Sequence, residues 1–112
     1  MRLNQQTMQT ITVKELKDRI DKGEEINLVD VREPDENKAF NIGGTLLPLG
    51  NVLSLQVDEI EDLKDKEVVC YCRSGQRSMQ ASLMLETMGF KDVKNLTGGM
   101  NEWQATFLSG TS

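Results

Sequence analysis

Short apolar runs alternate with amphipathic stretches along this chain, and the alternation predicts strands and helices in turn. Apolar or β-branched runs of strand length stand at residues 10–12, 26–31, 68–71 and 92–96. Apolar residues at helical spacing mark mainly helical stretches at residues 13–20, 52–63, 78–88 and 100–107. Strands that alternate with helices predict an α/β fold, with a small, mostly parallel sheet flanked by helices.

Residues with a preference for helix ends mark several of these boundaries. Thr12 and Glu15 have the spacing of a capping box, and Gly23 follows the helix that they would open. Gly89 follows the helix predicted over residues 78–88 and has the same terminating role. The methionines of that helix are interpreted as core residues: Met79, Met84 and Met88.

One cysteine stands where a buried strand gives way to a helix. Residues 68–71 predict the strand and the helix is expected to begin near Ser78, so Cys72 lies in the loop between them. At such a junction, backbone N–H groups and the positive end of the helix dipole point at one place, which suits an anion. Arg73 and Arg77 add positive charge. Because such surroundings lower a thiol pKa from ~8.5 to about 3.5–7.5, Cys72 is interpreted as a nucleophile that is largely thiolate at neutral pH.

The residues that follow Cys72 are predicted to bind an anionic substrate. Arg77 is expected to contact the anion more directly than Arg73, which is expected to point partly outward. The other loop residues predicted at this site are Ser74, Gly75 and Gln76. A curled loop needs a residue with positive φ, and Gly75 can supply it. Ser78 can donate a hydroxyl hydrogen bond, although the start of the helix explains it equally well.

The second cysteine, Cys70, precedes Cys72 at a C-x-C spacing. A disulfide across so short a separation would be strained. Cys70 is therefore interpreted as a small buried hydrophobe of the strand, since free Cys is among the most buried residue types. The alternative is a resolving thiol that protects Cys72 under oxidation.

Polar or glycine-rich segments follow each of the three longer predicted strands. They are Asp30–Arg32, the loop that begins at Cys72, and Thr97–Gly99. In open α/β sheets, ligands bind beyond the carboxyl ends of the strands, so these segments are expected to meet at one edge. Met100 and Trp103 would lie near that edge, and core packing is their default role.

Length and composition narrow the function classes. The 112 residues fit one domain, 1–112, whose polar residues 1–9 are expected to fray. The net charge of −5 argues against nucleic-acid binding, no apolar run is long enough to cross a membrane, and the first residues hold no secretory segment, so a cytoplasmic location is expected. Histidine is absent and there are only two cysteines, so neither a metal site nor any other cofactor is predicted. Activation of a nucleophile must then come from backbone dipoles and Arg.

Three segments resemble the motifs of one known family. The run Cys-Arg-Ser-Gly-Gln-Arg-Ser at 72–78 resembles the active-site loop of rhodanese-family sulfurtransferases of the single-domain type. The run Asp-Val-Arg-Glu-Pro at 30–34 resembles the family's strand-end signature, and residues 95–103 resemble its Gly-Gly turn and Trp-bearing helix. The matches lie in the family's order and reach over most of the chain. Asn41 departs from the pattern, because many relatives carry His there.

The resemblance implies a rhodanese-like fold and a sulfurtransferase that works through a persulfide. Cys72 would take the outer sulfur of thiosulfate or a similar anionic donor. It would pass that sulfur to cyanide or to a thiol, either a small molecule or a thioredoxin-like protein. For Asp30 and Arg32 the resemblance implies a structural ion pair near the site rather than a chemical role.

Other functions remain as alternatives. A phosphatase or arsenate reductase of related fold is disfavoured, because such enzymes place five residues between Cys and Arg, whereas four separate Cys72 from Arg77. A non-catalytic binding module is disfavoured because Cys72 is present. A persulfide relay that serves one protein partner stays open beside the small-molecule enzyme.

Overall fold

The structure is a computed structural model of the chain, and it describes residues 8–108. The strands are β1 (Gln9–Ile11), β2 (Leu28–Asp30), β3 (Thr45–Leu46), β4 (Glu67–Tyr71) and β5 (Asp92–Leu96). The helices are α1 (Val13–Asp21), α2 (Pro34–Ala39), α3 (Leu49–Leu53), α4 (Gln76–Thr87) and α5 (Gly99–Phe107), with a 3₁₀ helix at Asp58–Leu63. Of the segment expected to fray, residues 1–7 lie outside the described range and Gln9 begins β1.

The five strands form one parallel sheet in the order β1-β5-β4-β2-β3. This confirms the predicted α/β fold with a parallel sheet flanked by helices. Side chains of β4 alternate between the two faces, so Cys70 and Cys72 face the same layer while Val69 and Tyr71 face the other. The cysteine loop therefore leaves the middle strand of the sheet, flanked by β2 and β5.

Each face of the sheet is covered by its own apolar cluster. The cluster shared with α3, the 3₁₀ helix and α4 includes Val29, Val52, Ile60, Val68, Leu85 and Val93. The cluster shared with α1 and α5 includes Ile11, Leu16, Val69, Tyr71, Leu96 and Trp103. The predicted capping box opens α1, where the Glu15 N–H donates to Thr12 Oγ1 at 3.0 Å and the Thr12 N–H donates to Glu15 Oε1 at 2.9 Å. Helices packed on both faces hold the sheet in place and leave its carboxyl edge for the loops.

The stretch over residues 52–63 is mainly helical, as predicted, but it is divided by a break that the sequence did not predict. Helix α3 ends at Leu53, and Leu55 takes a positive φ of 64° before the 3₁₀ helix begins. In one unbroken helix, Val52 and Val57 would point about 140° apart. The break allows both to bury against the sheet, with 0% and 2% of their surface exposed. Burial of the two valines outweighs the regular helix that the local pattern predicts.

Helix α4 also departs from the prediction at its start and on one face. It begins at Gln76 rather than near Ser78, directly after Gly75. The row that faces the sheet contains Ser78, Ala81, Ser82 and Leu85. Met79 follows Ser78 by one residue and is turned away by about 100°, so it is 43% exposed and its assignment to the core was wrong. Met84 and Met88 do pack against the core, as predicted.

Within residues 8–108, no helix combines the length and the apolar character that a bilayer crossing requires. The longest helix, α4, has 12 residues, whereas a crossing takes about 20.

Candidate active site

Cys72 begins a loop that curls between the end of β4 and the start of α4. Gly75, the residue before the helix, has a φ of 102°, as predicted for a loop that needs a left-handed residue. A Cβ atom at this position would also lie 3.3 Å from the backbone nitrogen of Gly98, so space as well as φ favours glycine. The curl turns the loop back over the cysteine side chain.

The sulfur of Cys72 is surrounded by hydrogen-bond donors. The N–H groups of Gly75 and Ser78 donate to Sγ, with nitrogen-to-sulfur distances of 3.1 and 3.3 Å. The hydroxyl oxygen of Ser78 lies 3.4 Å from the same sulfur. The N–H of Ser74 also acts on the thiol. Of the predicted loop residues, Ser74 and Gly75 thus present their N–H groups to the sulfur, and Ser78 joins them.

Two opposing effects set the acidity of Cys72. Burial disfavours the thiolate, and only 1% of the residue's surface is exposed. The hydrogen bonds from the Ser78 hydroxyl and from the N–H groups of Ser78, Gly75 and Ser74 stabilise the thiolate and outweigh burial, so the pKa of Cys72 lies below its ordinary value. Nearby donors therefore favour the thiolate in a chain that contains no histidine.

Cys70 lies in a different environment, although it faces the same layer. It is fully buried, and burial raises the pKa of its thiol to about 12. Both cysteines are free thiols. These properties agree with the interpretation of Cys70 as a buried strand residue.

The Gly98–Gly99 turn holds the cysteine loop from the side of β5. The N–H of Met100 donates to the carbonyl of Cys72, and the N–H of Asn101 donates to the carbonyl of Arg73, both at 2.9 Å. A Cβ atom at Gly99 would overlap these two carbonyl groups, so glycine is required for the approach. The first turn of α5 thus binds carbonyl groups of the loop, while N–H groups of the loop bind the sulfur.

Asp30 and Arg32 form the ion pair that the resemblance implied. Nε and Nη2 of Arg32 each donate to a carboxylate oxygen of Asp30 at 2.8 Å, and both residues are buried. Arg32 also donates to the Phe40 carbonyl at 2.6 Å, and Asn37 Nδ2 donates to Asp30 at 2.9 Å. These bonds fasten α2 and the segment after it to the end of β2. The pair is therefore structural and fixes the wall of the site.

Arg77 is engaged by a carboxylate on α2. Its Nη1 and Nη2 donate to the two oxygens of Glu36 at 2.7 and 2.8 Å. Arg77 and its two N–H bonds hold the pKa of Glu36 at about 2, so the carboxylate is ionised at any ordinary pH. The sequence favoured Arg77 over Arg73 for anion binding, and that order stays a prediction; in this structure the Arg77 guanidinium is paired with Glu36.

Arg73 directly follows Cys72 and lines a cavity beside the cysteine loop, which we call the mouth cavity. Its side chain is exposed, and no ion pair involves it among the residues that the structure describes. The mouth cavity has a volume of about 310 Å³. The wall of this mouth cavity also contains Arg32, Glu36, Phe40, Met100 and Gln104. Met100 thus belongs both to the core and to the mouth, while Trp103 is a core residue.

The sequence did not single out two residues that contact this site. Asn95, on β5, accepts from the Ser78 hydroxyl and donates from Nδ2 to the Gly75 carbonyl at 3.1 Å. A polar residue two positions after buried Val93, on the same face of a strand, is a signal that could have identified it. Glu36 carried no such signal, because only the fold brings α2 to α4. Gln76 was also predicted at the site, and its side chain is exposed; its part in binding the donor stays a prediction.

Comparison with known proteins identifies the family of domains that this fold and cysteine loop resemble. The family model described as "Rhodanese-like domain" matches residues 12–106. A candidate sulfurtransferase, YtwF of Bacillus subtilis (strain 168), is 40% identical over 96 residues, which cover 84% of this chain and 88% of YtwF. A candidate sulfur carrier protein of the same strain, YrkF, is 33% identical over 101 residues, 89% of this chain and 53% of YrkF, so this chain spans about half of that relative. The crystal structure of a rhodanese-like domain protein from Staphylococcus aureus superposes with a TM-score of 0.77 at 27% identity, covering 94% of this chain and 100% of that one.

Proposed function

The chain belongs to the rhodanese-like domain family, and on that basis we propose that it is a sulfurtransferase in which Cys72 carries the sulfur as a persulfide. The observation that carries this proposal is the set of donors around Sγ, which favours the thiolate without a general base. The names of YtwF and YrkF support sulfur transfer as the general chemistry. We further propose that residues 1–112 form one such domain and that it acts in the cytoplasm.

In the first half-reaction, the Cys72 thiolate attacks the outer, sulfane sulfur of a donor such as thiosulfate. A sulfur–sulfur bond forms to Cys72 while the bond between the two donor sulfurs breaks, and sulfite leaves with that electron pair. Sulfite is a stable anion that needs no proton to depart, so a general acid is not required. The enzyme is left as the Cys72 persulfide, whose terminal sulfur carries the negative charge.

In the second half-reaction, an acceptor nucleophile attacks the terminal sulfur. Cyanide would become thiocyanate and a thiolate would become a persulfide, and each regenerates the Cys72 thiolate. Because Cys72 is only 1% exposed, a donor whose outer sulfur is a small terminal atom should reach Sγ more easily than a donor with a bulky group there. Arg73 would bind the anionic oxygens of the donor at the mouth, with Arg77, Ser74, Gly75 and Gln76 as the further binding residues proposed from the sequence.

A persulfide relay to one protein partner is the second candidate. It is favoured by the similarity to YrkF, whose name describes a candidate sulfur carrier. A phosphatase is less well supported, since Arg77 is occupied by Glu36 rather than directed at a tetrahedral oxyanion above Cys72.

The test is a two-stage transfer assay. Incubation with thiosulfate should release sulfite and add the mass of one sulfur atom to the protein, and cyanide should then remove it as thiocyanate. Glutathione and reduced thioredoxin, offered separately, distinguish a small-molecule enzyme from a relay. A matched pair of variants, Cys72→Ser and Cys70→Ser, assigns the added sulfur to one thiol. Protein that never gains sulfur from thiosulfate or from an inorganic polysulfide would refute the proposal.

A further inference from the structure

Asn95 stands behind the cysteine loop, and the sulfur-transfer steps above give it no role. It lies on β5 opposite Cys70 of β4, and only 5% of its surface is exposed. Its Nδ2 donates to the Gly75 carbonyl at 3.1 Å, and its Oδ1 meets the hydroxyl of Ser78. A buried amide is thus hydrogen-bonded to Gly75 and Ser78, two of the residues whose N–H groups bind the sulfur.

The orientation of this amide follows from its neighbours. A carbonyl oxygen accepts hydrogen bonds and never donates them, so the nitrogen of Asn95 must face the Gly75 carbonyl. Its oxygen then faces Ser78, and the Ser78 hydroxyl donates to it. The opposite orientation would place two acceptors against each other at Gly75.

The Ser78 hydroxyl has one proton and two groups that compete for it. While Cys72 is a neutral thiol, S–H donates to the hydroxyl oxygen and the hydroxyl donates to Asn95, so each group has a partner. A thiolate has no proton to donate and can only accept. The Ser78 hydroxyl proton could stabilise the thiolate, but it is already hydrogen-bonded to Asn95.

We propose that Asn95 is a positioning residue that sets the reactivity of Cys72 by competing with its sulfur for the Ser78 hydroxyl proton. In the thiolate, the hydroxyl rotates to donate to Sγ. When Sγ gains a second covalent bond and loses its charge, the hydroxyl returns to Asn95. Only the O–H bond rotates, and no covalent bond forms or breaks at Ser78. The last step rests on the proposed persulfide, whereas the competition in the free enzyme does not.

Other titratable groups act on Cys72, and each is the same in every variant of the test below, where Cys70 is always replaced by Ser. Cys70 faces it from β4 and Arg77 from α4, with Glu36 of α2 paired to Arg77. Arg73 follows it in the loop. On the side of β5 and α5, the residues that bind the loop are uncharged, namely Asn95, Met100 and Asn101.

The test is a double-mutant cycle on the pKa of Cys72, with every variant carrying Cys70→Ser so that one thiol titrates. The pKa is read from the ultraviolet absorbance of the thiolate against pH, in Asn95→Leu, in Ser78→Ala and in the double variant. Asn95→Leu should lower the pKa of Cys72 more when Ser78 is present than in the Ser78→Ala background. The difference should be about one to two pKa units, the size of one hydrogen bond to a charge. Equal effects in both backgrounds would overturn the proposal and leave Asn95 as a brace for Gly75.

A second measurement needs no change at Asn95, in case Asn95→Leu does not fold. The side-chain amide resonances of Asn95 should shift at the titration midpoint of Cys72 in the Cys70→Ser protein, and this shift should be lost in Ser78→Ala. The competition would be contradicted if the Asn95 resonances did not change as Cys72 titrates. It would also be contradicted if they changed equally in Ser78→Ala. Both experiments use the free enzyme without a donor. A protein that fails to transfer sulfur could therefore still show the coupling, and an active enzyme could lack it.

Discussion

The guanidinium of Arg77 and the carboxylate of Glu36 form a two-pronged ion pair, with nitrogen-to-oxygen distances of 2.7 and 2.8 Å. Glu36 belongs to α2 and Arg77 to the first turn of α4, so the pair joins the segment after β2 to the cysteine loop. Glu36 also lines the mouth cavity together with Arg73. An anionic donor would meet Arg73 there, which has no ion-pair partner among the described residues, beside the Glu36 carboxylate that pairs with Arg77. Donor binding should therefore depend on Glu36 as well as on the two arginines.

Glu36→Gln is expected to improve the use of thiosulfate. The change releases Arg77 and removes a negative charge from the mouth, while the amide oxygen still accepts the Glu33 N–H that bonds to Glu36. The KM for thiosulfate should fall by about threefold to tenfold, corresponding to one weak charge-assisted contact. Because the pKa of Glu36 is about 2, the effect should be constant between neutral and mildly acidic pH. Asp35→Asn, on the same turn, is the control, and a KM that rises instead would make Glu36 an organiser of the loop.

Arg73→Ala and Arg77→Ala are expected to differ in their effect on donors. Arg73 is exposed at the mouth and free to bind oxygens, so its loss should raise the KM for thiosulfate about tenfold and leave an uncharged donor unaffected. Loss of Arg77 should also impair thiosulfate more than an uncharged donor, as the sequence predicts, but by less than loss of Arg73. Steady-state kinetics with thiosulfate and with an organic persulfide, a donor that has no anionic oxygens for an arginine to bind, distinguish the two arginines. An equal loss with both donors would assign that arginine to loop structure.

Cys72→Ser is expected to abolish sulfur transfer and to leave the fold intact, whereas Cys70→Ser should keep most of the activity. The N–H groups of Gly75 and Ser78 bind the sulfur of Cys72, while Cys70 is fully buried with a pKa raised to about 12. Thiocyanate formation and circular dichroism test both statements. Comparable losses from the two changes would mean that the roles are shared.

Cys72 is expected to ionise below the free-thiol value of about 8.5. The local hydrogen bonds outweigh burial, which is the reason for the lowered pKa. The rate of alkylation by iodoacetamide against pH, in a Cys70→Ser background, gives the midpoint, and thiolate absorbance checks it because Cys72 is only 1% exposed. A midpoint at or above the free-thiol value would remove the first step of the proposed mechanism.

Glu67→Gln is expected to destabilise the protein in a pH-dependent way. Glu67 opens β4 and is held by Arg19 and by Lys94, with Lys94 Nζ at 2.9 Å, and these bonds lower its pKa to about 2. A depressed carboxyl pKa contributes stability above the unfolded value of about 4.3, and the contribution is lost as the pH falls through about 2. The variant should therefore lose about 2 kcal/mol at neutral pH and match the wild type near the acid limit, as measured by urea unfolding.

Exposed Glu59 supplies the control for that comparison. Glu59→Gln should change the free energy of unfolding by no more than about 0.5 kcal/mol at any pH. If Glu67→Gln lost as much stability at the acid limit as at neutral pH, Glu67 would stabilise the protein by packing rather than by its charge.

Local sequence patterns predicted those elements whose buried positions and end residues can be read from neighbouring residues. The run over residues 92–96 predicted β5 to the residue, and the capping residues Thr12 and Glu15 predicted the start of α1. The pattern over 52–63 did not predict the break near Leu55, because the break depends on which face of the sheet Val57 reaches.

By itself, the sequence determined that a cysteine follows a buried strand, that a positive-φ glycine shapes its loop, and that three strand ends share an edge. These properties follow from residue type and from the parallel direction of the strands. Tertiary structure decided which groups meet there: Glu36 reaches Arg77 across 41 positions, and Asn95 reaches Ser78 across 17. A hydrogen bond acts over about 3 Å, whereas sequence pattern reports only which way a side chain faces. The long-range partners of Arg77 and of Ser78 were therefore fixed only when the helices packed against the sheet.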